Sequence, residues 1–526
     1  MTNSIDELED AECIFIIGSN TSEAHPLIAT RIIRAKEKGA KLIVADPRTI
    51  QLSHYADVGV HQKLGTDVAL INGMMNVILA EGWEDKEYVS SRTEGFEEFK
   101  KVISKYDLKT VSGITGIPEE EIRKMAEMYS RSGKSSIVYA MGITQHTTGV
   151  DNVKSLANLS MLCGKVGIES GGVNPLRGQN NVQGACDMGG LPNVYTGYQA
   201  VGDENSAKKF EEAWKVPLSR KPGMTIMDMF KGAEEGKIKA MYIMGENPMV
   251  SDPNLGHVEH ALKSLPFLVV QDMFLTETAQ LADVVLPASS FAEKDGTYTN
   301  TERMVQRVRK AIEPIGESKP DWQIICELSG RMGYPMTYEN PSQIMDEIAG
   351  LTPSYGGITY DRLEGGGLQW PCLNREHPGT KYLHKEKFTR GLGLFSAIED
   401  KPPAEMSDEE FPFMLTTGRS FVHYHTGTMT RNSPSLQSEQ EEGYIEVHPD
   451  DALNIGIREE MVQVASRRGA ITIRAKITKR VERGLVFIPF HFVEAAANVL
   501  TNDALDPIAK IPEYKVCAVR IEKIKT

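Results

Sequence analysis

The stretch CIFIIGSN, residues 13–20, begins with an unbroken apolar run that stops at Gly18. A short apolar run bounded by a glycine is typical of a parallel strand buried on both faces. After a helical pattern, KLIVAD (41–46) predicts a second strand that ends at Asp46, and ADVGV (56–60) predicts a third. This order of elements predicts an α/β unit at the start of the chain.

A second stretch repeats this order far downstream. AMYIMG (240–245) predicts a strand that ends at Gly245, and FLVVQD (267–272) predicts one that ends at Asp272. The spacing from glycine to aspartate is 28 residues in the first copy (18 to 46) and 27 in the second (245 to 272). In both copies an ADV sequence places another aspartate 11 residues later. The matched spacing indicates an internal duplication.

The residue types at these strand ends suit nucleotides. A glycine at the carboxyl end of a strand lets the backbone approach a phosphate, and a carboxylate at the end of the next strand accepts hydrogen bonds from ribose hydroxyls. The alternative, that these are ordinary loop residues of any α/β protein, is weaker for two matched copies than for one. Neither copy contains G-x-G-x-x-G, so a standard NAD or FAD site is not indicated. The two nucleotides should belong to another dinucleotide-like cofactor.

From residue 411 the pattern changes to short β runs separated by turn residues, which predicts an antiparallel domain closed as a barrel. These runs are FMLTTG (413–418), YIEVHP (444–449), MVQVAS (461–466), AITIRAKI (470–477) and GLVFIPF (484–490). The predicted fold class is therefore α/β, with two Rossmann-like nucleotide-binding units plus a C-terminal β-barrel domain. The predicted domains are 1–179 and 180–290 for the two α/β units, 291–400 for a mixed connecting region and 401–526 for the barrel.

Composition excludes several classes of protein. The net charge is −14, from 58 Lys+Arg and 72 Asp+Glu, which argues against a general binder of nucleic acid. Six scattered cysteines without a C-x-x-C pair argue against structural zinc or an iron–sulfur cluster on these residues, and they suit a reducing compartment. No apolar run is long enough to predict a membrane span. The N-terminus lacks the basic region of a signal peptide, so we predict a cytoplasmic location.

The stretch GGVNPLRGQNNVQG (171–184) is rich in glycines and amides and carries one cation, Arg177. It has no hydrophobic periodicity, so we predict that it forms neither a helix nor an ordinary strand. Glycines let the backbone pass close to a ligand, amides donate and accept, and the planar guanidinium of Arg177 suits a carboxylate or phosphate. The alternative is a solvated surface loop, but such loops usually carry more Asp, Glu, Lys and Ser.

A second polar cluster runs from Thr417 and Arg419 through His423 and His425 to Thr428. Histidines at i and i+2 point the same way on a strand, so this pair could bind a metal. The sequence offers no third ligand at a fitting spacing, so we favour hydrogen bonding to a cofactor. A third cluster lies near the C-terminus, where a surface role is the alternative; it contains Asn498, Thr501, Asn502, Tyr514 and Lys515.

The string GGVNPLRGQNNVQGACDMGGLPNVY (171–195) closely resembles the catalytic subunits of molybdenum-dependent formate dehydrogenases, in the dimethyl-sulfoxide-reductase family of molybdopterin oxidoreductases. The resemblance extends over essentially the whole chain and includes SFVHYHTGTMT (420–430). It implies a bis(molybdopterin guanine dinucleotide) cofactor with molybdenum or tungsten and one guanine nucleotide per α/β unit. It also implies formate and CO2 as substrate and product, and an electron-accepting partner subunit.

The resemblance also implies roles for individual residues. Arg177 would orient formate as the catalytic residue, and none of the residues would ligate the metal. The first nucleotide would contact Gly18, Asn20, Asp46, Gly65 and Asp67, and the second Gly245, Asn247, Asp272 and Asp295. The pterin region would contact Gln145, Gln179, His425 and Asn498, and further cofactor contacts would come from Thr417, Arg419, Thr428, Tyr514 and Lys515.

Members of this family carry an N-terminal cysteine cluster for one [4Fe–4S] centre and a selenocysteine or cysteine that ligates the metal. Neither feature matches a segment of this sequence, so we expect an N-terminally truncated chain that is inactive alone, with the cluster only in the missing segment. Two alternatives remain at this stage, a nitrate reductase of the same family and a non-catalytic electron-transfer scaffold. The electron acceptor stays open among NAD, a deazaflavin, ferredoxin and a hydrogenase.

Overall fold

The computed structural model describes residues 1–524, and the chain divides into two compact units. Unit 1 comprises residues 1–178, 250–256 and 382–526, and unit 2 comprises residues 179–249 and 257–381. Both contain helices and strands, and unit 1 also contains a closed six-stranded barrel. Over residues 1–524, no helix has the length and apolar character needed to cross a membrane. The four predicted domain ranges stay a prediction.

Unit 1 begins with a sheet of five parallel strands in the order β3-β2-β1-β4-β5. The strands are β1 (Cys13–Ile17), β2 (Lys41–Ala45), β3 (Val58–Val60), β4 (Ser135–Tyr139) and β5 (Val173–Pro175). β1, β4 and all but the first residue of β2 are buried, as their apolar runs predict. The prediction that residues 171–184 contain neither strand nor helix is wrong in part. Val173 pairs with Ile137 at the sheet edge, and Val182–Asp187 is a helix.

The helix Asp67–Glu81 lies in the main core of unit 1 and is almost entirely buried. Its sequence is apolar on all sides, which is typical of a helix without a solvent face. Gly73 permits close packing, because a Cβ atom there would lie 2.8 Å from Val111. The other α-helices before residue 178 are Thr21–Ala24, Pro26–Glu37, Lys86–Arg92, Phe96–Ile103, Leu108–Thr115, Glu119–Arg131, Met141–Thr144 and Gly149–Leu162. Thr93–Glu94 pairs with Gly393–Leu394.

The barrel of unit 1 is formed by six strands, the last of which the sequence analysis did not predict. They are Phe413–Gly418, Tyr444–Val447, Met461–Ala465, Ala470–Ile477, Leu485–Pro489 and Cys517–Lys523. The predicted antiparallel arrangement is wrong for two pairs: Phe413–Gly418 runs parallel to Leu485–Pro489, and Tyr444–Val447 runs parallel to Ala470–Ile477. Neither pair is joined by a hairpin, and only hairpins force antiparallel neighbours. The helices in this region are Pro434–Glu439 and Pro449–Ile455.

Unit 2 contains a parallel sheet in which Phe267–Asp272 lies between Ala240–Met244 and Val284–Pro287. A second sheet is antiparallel and consists of Gly296–Thr299, Met304–Val308 and Leu368–Gln369. The α-helices from residue 182 to residue 363 are Val182–Asp187, Glu204–Trp214, Ile226–Glu234, Pro248–Ser251, Leu255–Lys263, Asp321–Arg331, Pro341–Leu351 and Tyr360–Leu363. Val194–Tyr195 and Gln199–Ala200 form a short antiparallel pair.

The two copies of the duplicated pattern share a specific hydrogen bond. In the first copy, the carboxylate of Asp57 accepts a 2.8 Å hydrogen bond from the backbone N–H of Leu42. In the second copy, the carboxylate of Asp283 accepts a 2.7 Å hydrogen bond from the backbone N–H of Leu268. In each copy the acceptor precedes the third strand and the donor is the second residue of the second strand. The repeated ADV aspartates therefore have the same structural role, which is to fix neighbouring parallel strands.

Candidate functional site

A cavity in unit 1 lies at the carboxyl ends of β1 and β2, against the barrel strand Phe413–Gly418. It encloses about 960 Å³ of empty space, part of which is open to solvent. The structure brings eight of the predicted cofactor-binding residues to its wall: Gly18, Asn20, Asp46, Gly65, Asp67, Thr417, Arg419 and Lys515. Residues far apart in the sequence therefore meet at one cavity with a partly polar wall.

Two glycines form the floor of this cavity where β1 and β4 end. Gly18 has a φ of +56°, and a Cβ atom there would lie 2.7 Å from the carbonyl carbon of Gly142. The N–H of Gly142 donates a 3.0 Å hydrogen bond to the carbonyl of Gly18. This contact marks the point where the strand order changes direction, which is where open α/β sheets bind ligands. A side chain at either position would push the two strand ends apart.

Several polar atoms of the cavity wall are buried without a hydrogen-bond partner among residues 1–524. They include both amide atoms of Asn20, the Oε1 of Gln62 and the Nη2 of Arg419. The other amide atom of Gln62 donates to Asp67 at 3.1 Å, so its carbonyl side is turned away from that bond. Buried polar groups in folded proteins are nearly always satisfied. The wall therefore fits a ligand that both donates and accepts hydrogen bonds, as a nucleotide does.

Two carboxyl groups, those of Asp46 and Asp67, lie in the same wall. Burial raises the pKa of Asp46 to about 6, although the backbone N–H of Arg48 donates to its Oδ1 at 3.0 Å. Burial also raises the pKa of Asp67 to about 6. Asp67 is the first residue of the helix Asp67–Glu81, and the hydroxyl of the preceding Thr66 donates to the carbonyl of Lys63 at 2.7 Å. Both carboxyl groups are available to hydroxyl or ring N–H donors of a ligand.

Cationic side chains line the other part of the wall. The Nζ of Lys515 donates a 2.7 Å hydrogen bond to the carbonyl of Thr417, and burial together with nearby Arg419 lowers the pKa of this lysine to about 7. Arg419 donates through Nη1 to the carbonyl of Gly178 at 3.3 Å. Burial lowers the pKa of Arg419 as well. A bound anion would offset both desolvation and mutual repulsion, so this side of the cavity suits phosphate groups.

Sequence analysis missed Arg48, which also lines the cavity. Its guanidinium carbon lies 3.3 Å from the centre of the Phe487 ring, and its Nη2 lies 2.7 Å from the carboxylate of Glu446. The local signal was present, because Arg48 follows the predicted strand-end residue Asp46 by two positions. Phe487 and Glu446 gave no signal, since both belong to apolar barrel strands distant in sequence.

Arg177, the predicted catalytic residue, is half-buried between two residues of the cavity wall, Leu176 and Gly178. Its charge acts against the burial that raises the pKa of Tyr139 to about 12, so the guanidinium lies near the carboxyl end of β4. Gln145 directly follows the helix Met141–Thr144, whose first residues line the cavity. The structure thus places Arg177 beside the cavity wall.

The two histidines of the predicted pair do not lie on a strand. His423 bonds to Thr430 and to the carbonyl of Gln440, while His425 has a φ of +49° and is buried near Arg419. The loop after Phe413–Gly418 turns too sharply for an i, i+2 alignment. Thr428 bonds to another threonine hydroxyl of this loop. Among the residues that the structure describes, no group of three or more His, Cys, Asp or Glu could hold a metal.

The predicted C-terminal contacts are buried within unit 1. The amide of Asn498 donates to the carbonyls of Val250 and Ser251 at 2.9 and 3.0 Å. The carbonyl of Tyr514 accepts a 2.9 Å hydrogen bond from the hydroxyl of Thr417, next to Lys515 in the cavity wall. A surface role for this cluster is therefore wrong for Asn498 and Lys515, which are both buried.

The second set of predicted nucleotide contacts lies in unit 2. Gly245 has a φ of +63°, close to that of Gly18. The amide oxygen of Asn247 accepts from the hydroxyl of Thr278 at 2.7 Å, and its nitrogen donates to Glu277 at 2.8 Å, so this amide is satisfied by the protein. Asp272 accepts from the N–H of Met273 at 2.6 Å, and burial raises its pKa. Asp295 accepts a 3.4 Å hydrogen bond from the backbone N–H of Lys310. Gln179, which was predicted to contact the pterin region, is the first residue of unit 2.

Comparison with known proteins gives two family matches. Residues 1–331 match the family described as Molybdopterin oxidoreductase, and residues 413–518 match the Molydopterin dinucleotide binding domain. In overall fold the chain is similar to acetylene hydratase from Pelobacter acetylenicus, with a TM-score of 0.79 at 21% sequence identity. That similarity covers 99% of this chain and 81% of the hydratase. It supports a mixed α/β fold with a C-terminal barrel.

Three relatives align along the full length of the chain. It is 56% identical to the F420-dependent formate dehydrogenase subunit alpha of Methanocaldococcus jannaschii, covering 100% of this chain and 78% of that protein. It is 52% identical to the F420-dependent formate dehydrogenase 1 subunit alpha of Methanococcus maripaludis, with the same coverage. It is 43% identical to formate dehydrogenase H of Escherichia coli, covering 100% of this chain and 74% of that protein.

Proposed function

The chain belongs to the molybdopterin oxidoreductases and, among them, to the alpha subunits of formate dehydrogenases, and on that premise we propose that it oxidises formate to CO2 with a bound molybdopterin dinucleotide cofactor. The relatives that support this proposal are 43% to 56% identical over the whole chain. Their names describe formate dehydrogenases, so a nitrate reductase and a non-catalytic scaffold are not favoured.

The observation that carries the proposal is the set of unpartnered polar atoms in the cavity of unit 1. In the proposed complex, the amide of Asn20 meets the nucleotide beside the backbone of Gly18. Asp46 and Asp67 accept hydrogen bonds from the ribose or the base. Arg419, Lys515 and Arg48 supply the positive charge that the phosphates need, and a phosphate would raise the pKa that burial has lowered in Lys515.

Two finer parts of the proposal concern the cofactor. We propose the guanine form in two copies, one for each duplicated unit, around molybdenum or tungsten. The second copy would use Gly245, Asn247, Asp272 and Asp295 of unit 2, where the repeated aspartate contact and the positive φ of Gly245 support the duplication. Asn247 differs from Asn20 in being satisfied by the protein, so it would have to release Glu277 or Thr278 to bind a ligand.

The proposed reaction converts formate into CO2, one proton and two electrons, and the cofactor, when bound, would supply the metal that accepts the electron pair. Arg177 would hold the formate carboxylate with two parallel N–H donors of its guanidinium, which fixes the C–H bond in one orientation. The apolar side chain of Leu176 next to it is buried and would help to exclude water. Because CO2 carries no charge, the guanidinium of Arg177 would bind the product more weakly than formate, which would favour product release.

The electrons must leave through a partner. The relatives at 56% and 52% identity are named as F420-dependent, so we propose a partner subunit that passes the electrons to this deazaflavin. We also propose a cytoplasmic location, because six scattered cysteines without a C-x-x-C pair suit a reducing compartment.

The proposal is tested on the protein purified from its host together with the subunits that accompany it. We expect molybdenum or tungsten in the sample, two guanine nucleotides per metal after acid release, and formate-dependent reduction of F420. Exchange of Asn20 for alanine should lower the metal content, because it removes an amide that the cofactor satisfies. Nitrate reduction without formate oxidation, or a sample from which no pterin is released, would refute the proposed function.

A further inference from the structure

His491 lies directly beyond the barrel strand Leu485–Pro489 and is completely buried. Both nitrogens of its ring are engaged by one loop. The backbone N–H of Ser420 donates to Nε2 at 2.9 Å. The Nδ1 atom contacts the carbonyl oxygen of His425 at hydrogen-bonding distance. Because a backbone N–H can only donate, Nε2 must carry the lone pair and Nδ1 the proton, so the ring is a neutral imidazole with one defined tautomer.

The loop that His491 holds is bent sharply around it. His425 adopts a φ of +49°, a left-handed conformation that is unfavourable for a residue with a side chain. Gly427 follows with a φ of +78°, and a Cβ atom there would lie 2.8 Å from the carbonyl oxygen of His491. The hydrogen bond from Nδ1 of His491 to the carbonyl of His425 therefore holds the backbone at the residue with the unfavourable φ.

One end of this loop is next to a side chain that lines the cavity, and the other end packs against one. Arg419 immediately precedes Ser420, lines the cavity, and has an Nη2 atom without a partner among residues 1–524. The ring of His425 is buried near Arg419 and meets the ring of Phe490 edge-on, with 6.2 Å between their centres. Phe490 also lines the cavity. A single imidazole thus sets the backbone at both ends of the segment between Arg419 and His425.

The environment of His491 keeps it neutral. Burial lowers the pKa of His491 to about 3, and the nearby charge of Arg419 lowers it further. The ring of His423 lies 6.0 Å away, and that of Phe492 packs edge-on at 6.3 Å. The ring is therefore neutral near pH 7, and Nε2 keeps its acceptor there.

We propose that His491 is a positioning residue of the cofactor site, which holds the loop from Ser420 to His425 so that Arg419 and His425 face the bound pterin dinucleotide. The inference rests on the proposed function for the identity of the ligand. The positioning of the loop by His491 does not depend on the proposed function, because both hydrogen bonds of His491 lie within the protein.

Three substitutions separate the two hydrogen bonds. His491→Asn places an amide N–H near the position of Nδ1, so it keeps the bond to His425 and loses the acceptor for Ser420. His491→Gln extends an amide oxygen towards the position of Nε2, so it keeps the acceptor for Ser420 and loses the bond to His425. His491→Phe loses both. His448→Asn is the matched control, since this histidine also lies in the barrel domain and accepts a backbone N–H, that of Asp450, away from the cavity wall.

The first readout is amide hydrogen exchange of the peptide that contains Ser420, measured on the cofactor-free chain. We expect exchange about 10-fold faster in His491→Phe and His491→Asn, because one buried hydrogen bond is worth roughly that factor. His491→Gln should keep the native rate. The second readout is the metal retained per chain after repeated gel filtration of the holoenzyme, which should fall in all three variants and stay unchanged in His448→Asn.

The outcomes distinguish the inference from the proposed function. Native exchange rates and native metal retention in His491→Phe would overturn the positioning role. If that variant does not fold, the Asn and Gln variants decide, since equal exchange at Ser420 in both would overturn it. If purified wild-type protein released no pterin, the proposed function would be refuted instead. The exchange data on the cofactor-free chain would still test the action of His491 on the loop.

Discussion

Arg48 and Glu446 form an ion pair in which Nη2 lies 2.7 Å from Oε2, with only 6% and 0% of the two side chains exposed. Arg48 follows β2 of the sheet, and Glu446 belongs to the barrel strand Tyr444–Val447. Arg480 reaches the other carboxylate oxygen at 3.3 Å and also pairs with Glu23 of the cavity wall at 2.8 Å. The pair therefore joins the sheet and the barrel of unit 1 next to its cavity.

Glu446→Ala should destabilise the protein strongly, because it leaves Arg48 buried without its partner. Removal of one member of a buried ion pair costs about 3–5 kcal/mol. The apparent midpoint of urea unfolding measures this loss. Glu442→Ala is the control, because Glu442 pairs with Arg474 at the surface and exposed pairs contribute little. Equal midpoints for the two variants would show that the buried pair does not stabilise the fold.

Asp46→Asn should change the pH dependence of stability in the cofactor-free chain. The pKa of Asp46 is about 6 in the folded state against an ordinary value of 3.8, so its contribution is full below pH 3.8 and is lost as pH rises through 6. The asparagine side chain does not ionise, so the variant does not lose stability in this way as the pH rises. We expect it to be more stable than the wild type by up to about 3 kcal/mol at pH 7 and no more stable below pH 4. Thermal unfolding at the two pH values measures the difference, and a gain of equal size at both would contradict the assignment.

Much of the fold could be predicted from local sequence. The first two strands of each α/β copy are short apolar runs followed by or ending at a glycine or an aspartate. Burial on both faces explains this pattern in the first copy, whereas most residues of Ala240–Met244 in the second copy are not buried. The edge strand Val173–Pro175 could not be predicted, because its three residues, Val-Asn-Pro, are too few to show a periodicity. The parallel barrel pairs were missed for a different reason. Strand direction depends on which distant strands meet, and the sequence of each strand does not encode this.

The residues of the cavity wall also divide into those that local sequence could predict and those that it could not. Gly18, Asn20 and Asp46 were predictable, because each lies where a strand ends and a ligand can approach the backbone. The partners that hold the wall in place were not. Arg48 and Glu446 are 398 residues apart in sequence, and neither residue alone indicates that it will be paired. In the sequence His491 is an isolated histidine, and only the folded barrel places it in contact with the loop that begins at Ser420.

Asn20→Ala and Asn247→Ala should have opposite effects on the cofactor-free chain, although the two asparagines occupy matching positions in the duplication. The amide of Asn20 has no partner within the described chain, so its removal should leave stability unchanged or increase it. The amide of Asn247 bonds to Thr278 and Glu277, so its removal should cost about 1–3 kcal/mol. Unfolding midpoints measure both effects. A large loss for Asn20→Ala would mean that the protein itself satisfies that amide.

Lys515→Met should flatten the pH dependence of stability between pH 7 and pH 10. The pKa of Lys515 is about 7 in the folded chain and about 10.4 when unfolded, so the unfolded state binds the extra proton in this range. Stability of the cofactor-free wild type should therefore rise with pH, with a contribution of at most about 1.4 kcal/mol per pH unit from this group. Unfolding midpoints at four pH values give the slope. An unchanged slope in the methionine variant would show that Lys515 is charged in the folded chain.

Arg177→Lys should impair catalysis without removing the cofactor. Lysine keeps the positive charge but loses the planar pair of donors, so formate would bind in several orientations. We expect kcat/KM for formate to fall by roughly 10²- to 10³-fold, the range seen when one charge-stabilising donor is removed from an active site. Metal content should stay at the wild-type level, since the guanidinium is assigned to the substrate. Arg375→Lys is the control, because Arg375 pairs with Asp361 at the surface. If Arg177→Lys instead lost the metal and kept kcat/KM per bound metal, this arginine would be a cofactor contact and another residue would have to orient formate.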